Sequence, residues 1–149
     1  MKITDLKVWV TVPERSPEDG TPIGRSYVFL RVDTDEGISG FGEATSSGGG
    51  GSIVVGHMIA FLKNSTAERD FRETLIGENP EHVDLIWHKL YRRFTGGGGY
   101  GGFVTTMLSG IDIALWDIKG KAAGKPIYEI LGGGPLREDV ELYTHVAPG

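Results

Sequence analysis

The chain has 149 residues, 39% of them hydrophobic, and a formal charge of −5 at pH 7: one domain, or one domain and the start of another, with material for an ordinary core. Zero cysteines exclude a disulfide framework, a thiolate zinc site and a cysteine nucleophile, and the acidic balance leaves no basic face to neutralise phosphates. No apolar run approaches the roughly 18 residues of a membrane span and Met1–Asp5 opens a strand rather than an export signal, so a cytoplasmic protein with no nucleic-acid or membrane partner is expected.

Ile3 to Val12 is rich in β-branched residues, with Val8, Val10 and Val12 alternating around Trp9, and reads as a strand. Pro13–Arg25 holds three prolines and a cluster of charges and reads as a loop long enough to suspect a function. Ser26–Asp33 alternates again, with Val28, Leu30 and Val32 on one face and Tyr27, Phe29 and Arg31 on the other. Thr34-Asp35-Glu36-Gly37 supplies a tight turn and Ile38–Ala44 returns, which makes a three-stranded antiparallel meander.

Helices follow. Ile53–Leu62 and Ala67–Leu75 read as helical, and Asn79-Pro80-Glu81 is read as the start of another, with Asn79 as N-cap and Pro80 at N1. Val83, Ile86, Trp87, Leu90 and Phe94 give it an apolar face. In Val104–Ala122 the apolar residues are so numerous that the helix must be packed on more than one side. Gly110 and Ala114 lie four apart on one of its faces, where another backbone is expected to pass close. Asp112 and Asp117 are each expected to meet a basic or backbone partner, because a carboxylate on so apolar a helix must be paired. Gly124 suits a left-handed C-terminal position, and Pro126 opens a further short helix. Strands first and helices after make an α+β domain, and a last strand-like segment runs over Val140–Val146.

The glycines cluster at Gly48–Gly51 and Gly96–Gly102 and read as loops inside one domain. Gly97–Gly102 satisfies a G-x-G-x-x-G pattern, but a helix rather than a strand precedes it, which rejects the dinucleotide reading. Lys119 and Lys121, two apart on a helix, point about 200° away from each other and do not converge on a substrate. His57, His82, His88 and His145 show no spacing suited to a metal.

Gly40-Phe41-Gly42-Glu43 closes the meander, and Gly77-Glu78-Asn79-Pro80, Trp87-x-x-Leu90-Tyr91-Arg92 and Ser109–Lys121 follow it. Together these segments resemble the N-terminal capping domain of the mandelate racemase/muconate lactonizing enzyme group of the enolase superfamily, in the wording of galactonate-type sugar-acid dehydratases. The resemblance implies an enolase N-terminal domain-like fold over 1–134, with 135–149 as the start of a truncated (β/α)₇β barrel and Val140–Val146 as its first strand. It implies a Mg²⁺-dependent enzyme that takes the proton α to a carboxylate of a sugar acid. The metal and the acid–base residues would belong to the missing barrel, so no catalytic residue is expected in this chain, which alone would be inactive. Racemase or cycloisomerase activity, or a free-standing cap-like binding module, are the alternatives. The capping contribution would come from two loops, with Arg15 and Arg25 in the first and Thr45, Ser46 and Ser47 in the second. A homo-oligomer is expected, with association through the Val104–Ala122 helix and the Tyr143/Val146 segment.

Overall fold

The computed structural model describes residues 1–46, 51–64, 74–95, 102–134, 137 and 139–143. Among these the strands are β1 (Ile3–Val10), β2 (Glu14–Arg15), β3 (Pro22–Ile23), β4 (Val28–Thr34) and β5 (Ser39–Glu43). The helices are α1 (Gly51–Asn64), α2 (Val83–Thr95), α3 (Gly102–Ala123) and α4 (Ile127–Gly132). The expected meander is present as an antiparallel sheet in the order β1-β4-β5.

Alternation decides the faces. Val28, Leu30 and Val32 are fully buried on the inner face, opposite Leu6 and Val8 of β1 and Gly40 and Gly42 of β5. A register shift between Ile3 and Asp5 lets Ile3 and Leu6 both reach the core, although they are three residues apart. Helix α3 lies across this face, with Met107, Leu108, Ile111, Leu115 and Ile118 buried against it and α1 and α2 on its flanks.

The closest contact in the domain is between α3 and β5. A Cβ on Gly42 would run into the carbonyl oxygen of Gly110, and one on Gly40 into that of Ala114. The helix reciprocates: a Cβ on Gly110 would lie 2.7 Å from that of Ala44 and 2.8 Å from Leu30 Cδ2. The backbone approach expected at Gly110 and Ala114 therefore comes from the strand of the Gly40-Phe41-Gly42-Glu43 segment. Asp117 and Lys121 complete the seam. The Phe41 N–H donates to Asp117 Oδ2 at 2.8 Å, and Lys121 Nζ donates both to that carboxylate (2.7 Å) and to the Ser39 carbonyl (2.8 Å). Two groups on the open edge of β5 are satisfied in this way.

Asp112 departs from expectation. Among the described residues it meets neither a basic nor a backbone partner, and its pKa is raised by burial and then by the Asp84 charge across the α2–α3 packing. Its partly buried position is what disfavours the charged form. Asp33, on the outer face of β4, is the opposite case. Burial alone would raise its pKa, but hydrogen bonds from Lys7 (2.8 Å), Ser39 (2.7 Å) and Arg31 (3.1 Å) hold it at about 2.

Other boundaries shifted for local reasons. Asn79 does not cap a helix: its Oδ1 accepts the Glu81 N–H and its carbonyl the His82 N–H, closing a turn over Pro80. The helix starts three residues later, where the His82 carbonyl takes the first helical bond, from Ile86 N. Gly124 takes φ 63° as expected, and Pro126 sits at the N-cap of α4, one residue before its first turn. Helix α3 is less bare than its composition suggests, because the sheet, above all β5, together with α1 and α2 covers most of it and leaves Phe103 and Ile113 as its exposed large apolar residues. Val140–Tyr143 is in no strand, and Val140, Leu142 and Tyr143 are exposed. A barrel strand needs neighbours to pair with, and none is described beside it. The expected helix over Ala67–Leu75 lies outside the described residues apart from a turn at its end, as do most of the two glycine clusters, His145 and Val146.

Gly42→Ala is expected to cost about 1–3 kcal/mol in a urea titration, because the strand must back away from α3. Gly132→Ala, at a position with nothing within 4 Å, serves as the control and is expected to be neutral or slightly stabilising. Equal losses at both sites would show that the seam is not special. Asp33 has a folded pKa below its ordinary 3.8, so its contribution is present above that value and lost as pH falls toward 2. Asp33→Asn is expected to lower stability by at most about 2 kcal/mol at pH 7 and by much less near pH 2, where the carboxylate is about half protonated. A penalty independent of pH would refute the assignment.

Candidate functional site

The last residue of β1, the first of β4 and the last of β5 meet at one end of the sheet, because Val10 pairs with Val28 and Phe29 with Glu43. The two expected capping loops both leave from this end. The first is not irregular throughout. Thr11 and Tyr27 clamp its base, with the Thr11 N–H donating to the Tyr27 carbonyl (2.9 Å) and the Tyr27 N–H to Thr11 Oγ1 (2.8 Å). Above the clamp β2 and β3 pair as a short ribbon, Glu14 with Ile23 and Arg15 with Pro22.

The tip of the ribbon is held by polar side chains. Asp19 Oδ1 accepts from both the N–H (3.0 Å) and the hydroxyl (2.7 Å) of Thr21. Those bonds, the backbone one first, lower its pKa, with a further contribution from Ser16. Arg15 Nη1 donates to the Gly20 carbonyl at 2.8 Å, so this exposed cation is partly committed to its own loop. Arg25 is exposed and makes no hydrogen bond or ion pair among the described residues, which leaves its fork free for an anion.

The second loop begins with two residues that fasten it. Thr45 Oγ1 accepts the Val28 N–H at 3.1 Å, extending the β4–β5 pairing by a side chain. The Ser46 N–H donates to Ser52 Oγ (3.1 Å), and the same hydroxyl donates to the Ser46 carbonyl (3.2 Å), which pins the start of α1 to the strand end. The Ser46 hydroxyl itself is uncommitted among the described residues, and Ser47 lies outside them. Four of the five expected capping residues therefore rise from one end of the sheet. Arg25 and Ser46 have free side chains, while Arg15 and Thr45 already do structural work.

Among the described residues no group of three His, Asp or Glu side chains is placed to hold a metal ion. No described helix is long and apolar enough to cross a membrane. The ribbon was missed in the sequence because Glu14-Arg15 and Pro22-Ile23 are too short to show a period. The only signal was Asp19-Gly20 between them, a turn pair suited to a hairpin.

The arrangement is that of a known domain. Residues 8–132 match the family model of the mandelate racemase/muconate lactonizing enzyme N-terminal domain. The chain belongs to this family. Among curated family relatives, a D-galactonate dehydratase family member of Marinomonas sp. (strain MWYL1) is 40% identical over 97% of the chain and 30% of its own length. D-galactonate dehydratase of Variovorax paradoxus is 37% identical over 98% of the chain and 31% of its own length. D-mannonate dehydratase of Caulobacter vibrioides is 39% identical over 97% and 30%. The chain thus spans about 30% of the length of the curated relatives it matches. Among solved structures, a member of the enolase superfamily from Polaromonas sp. JS666 superposes with TM-score 0.67 at 35% identity, over 89% of this chain and 33% of that one. The 3,6-anhydro-D-galactonate cycloisomerase of Zobellia galactanivorans superposes with TM-score 0.68 at 26% identity, over 89% and 32%.

If Thr45 is a structural member of this family site, Thr45→Val, which keeps the shape and removes the acceptor, should cost about 1 kcal/mol by denaturant unfolding. Arg25→Ala should stay within about 0.5 kcal/mol of the parent. The reverse order would move the anchoring role from Thr45 to Arg25.

Proposed function

We propose that this chain is the capping and specificity domain of a Mg²⁺-dependent sugar-acid dehydratase. The observation that carries the reading is the match to relatives named D-galactonate dehydratase, over 98% of the chain, and D-mannonate dehydratase, over 97%. The gathering of both capping loops at one end of the sheet supports it. Residues 1–134 form the cap, and 135–149 begin the domain that holds the chemistry.

In such a reaction the proton α to the carboxylate is removed, the β-hydroxyl leaves as water after protonation, and the resulting enol settles as a 2-keto acid. Bound Mg²⁺ would supply charge stabilisation for the enediolate, and its ligands would lie outside this chain. The cap contributes recognition and closure. Arg25 offers a two-pronged contact for a carboxylate or for hydroxyl oxygens, and Ser46 offers a hydroxyl from the loop that leaves the same end of the sheet. The ribbon of β2 and β3 is stiff enough, through its Asp19–Thr21 and Arg15–Gly20 bonds, to move as a unit over the substrate and exclude water.

The purified 149-residue chain should not convert galactonate or mannonate to a 2-keto acid, as measured by semicarbazone absorbance. Turnover would place the chemistry here and end the capping reading. When residues 1–134 replace the matching segment of the Variovorax paradoxus enzyme, dehydration should persist. In that background Arg25→Ala should raise KM about tenfold, equivalent to about 1.4 kcal/mol. A KM unchanged within twofold would remove Arg25 from the substrate site.

A further inference from the structure

Helix α1 turns one narrow face inward. Ser52, Val55, Gly56 and Ile59 recur at the spacing of a helical stripe and are all buried. Ser52 is the odd member, a serine only 2% exposed in the first turn of the helix. A hydroxyl at that place can bond to the free N–H groups of its own helix end. Among the described residues this one bonds to Ser46 and to nothing else. It accepts the Ser46 N–H at 3.1 Å and donates to the Ser46 carbonyl at 3.2 Å.

Two bonds to the main chain of one residue do more than tether it. A single oxygen can take both only if the N–H and the carbonyl of Ser46 point the same way, as in an extended strand residue, so φ and ψ are selected together. The direction of the Cα–Cβ bond follows, and χ1 and the rotation of the O–H are all that is left to the Ser46 side chain. Thr45, one residue earlier, is fixed through the bond from the Val28 N–H. We propose that Ser52 is a positioning residue for the substrate: buried and touching no ligand itself, it holds Ser46 so that the Ser46 hydroxyl meets the substrate in a fixed place. The inference rests on the capping reading and adds to it a residue outside both loops' exposed surfaces.

The place of Ser52 is in turn referred to the sheet. One turn further along, α1 lies so close to β1 that a Cβ on Gly56 would run into Val10 Cγ2, with Val28 Cγ2 3.6 Å away. Val10 and Val28 are the paired residues between which the first loop leaves and returns, and Thr11 and Tyr27 clamp that loop directly beyond them. One face of α1 therefore bears on the roots of both loops. A hydroxyl that holds a ligand oxygen must be placed to within about 0.5 Å, which a loop residue achieves only when something rigid supports it. A helix wedged against two strands is such a support. Bonds to its own helix end would have served the stability of α1 as well, so stability alone does not account for the turn of Ser52 toward Ser46.

Two measurements test the assignment. In the 149-residue chain the Ser46 N–H should be protected from hydrogen exchange, and Ser52→Ala should speed its exchange at least about tenfold while leaving the Val55 N–H unchanged. In the Variovorax paradoxus chimera carrying residues 1–134, Ser46→Ala and Ser52→Ala should each raise KM about fivefold, with kcat within about twofold of the parent. The double variant should be no worse than Ser46→Ala alone, because Ser52 acts through that residue. Ser52→Cys, which keeps the volume and bonds weakly, replaces Ser52→Ala if the latter loses its folded circular dichroism spectrum. Unmoved Ser46 exchange, a KM that the Ser52 variant leaves unchanged, or effects that multiply in the double variant would each overturn the role of Ser52. If Arg25→Ala still raises KM in that case, the capping reading survives. A chimera in which neither Arg25→Ala nor Ser46→Ala moves KM would overturn the capping reading and this inference with it.

Discussion

The structure depends on the contact between α3 and β5. Gly40, Gly42, Gly110 and Ala114 are small because a strand backbone and a helix backbone touch there with no side chain between them. This contact fixes the helix against the sheet along both its axis and its rotation. The remainder of α3 is then committed: Met107, Leu108, Ile111 and Leu115 fall into the core, and Asp117 and Lys121 come to the exposed edge of the strand. The energetic weight of the seam is mostly dispersion and apolar burial, with each buried Leu or Ile side chain worth about 1.5–3 kcal/mol. The edge hydrogen bonds add less, but they set direction, since an edge satisfied by a side chain from the domain's own helix is a poor template for a foreign strand.

That seam was legible in the sequence only in halves. Gly110 and Ala114 announced that something passes close to the helix, and Gly40 and Gly42 stood out inside a strand, where glycine usually costs stability. Nothing local says that the two pairs meet, because the pairing is set by the tertiary fold. Alternation read the faces of β4 correctly, because branched residues at every second position leave one solution. In β1 it ran two residues too far, since the strand ends at Val10 and Val12 is exposed, and it did not foresee the shift that buries both Ile3 and Leu6. It failed at Asn79-Pro80, where the residues that begin a helix also make a turn, and the choice is settled by whether the Asn79 side chain bonds to the residue two ahead. The capping residues were found by their position in loops rather than by chemistry. Thr45 and Arg15 then proved to be committed to neighbouring backbone groups. Side-chain commitments of that kind depend on distances a sequence does not encode.

The two ends of the sheet are built differently. At the end where β5 begins, Asp33 gathers Lys7, Arg31 and Ser39, and the Lys121–Asp117 pair holds Ser39 and Phe41. At the other end the described residues tie the loops to the sheet at their roots, by Thr11 with Tyr27, Thr45 with Val28 and Ser46 with Ser52. Beyond those roots Arg25 and Ser46 remain free. A rigid platform carrying loops anchored at their bases permits loop residues to change without disturbing the core, which is the arrangement on which recognition surfaces are usually built.

A domain of this form is shared by relatives named dehydratase and by a solved cycloisomerase. One scaffold beside two reactions cannot carry the identity of the reaction, since eliminating a hydroxyl and rearranging a sugar ring develop charge at different atoms. What such a domain can supply equally to both is contact with parts of the ligand that do not change during the chemistry. Interactions of that kind bind the ground state and the transition state alike, so they appear in KM and in the choice between ligands rather than in the rate of the chemical step. On the proposed reading, the free guanidinium of Arg25 and the hydroxyl of Ser46 take that role, since both are able to hold a carboxylate or a hydroxyl in place.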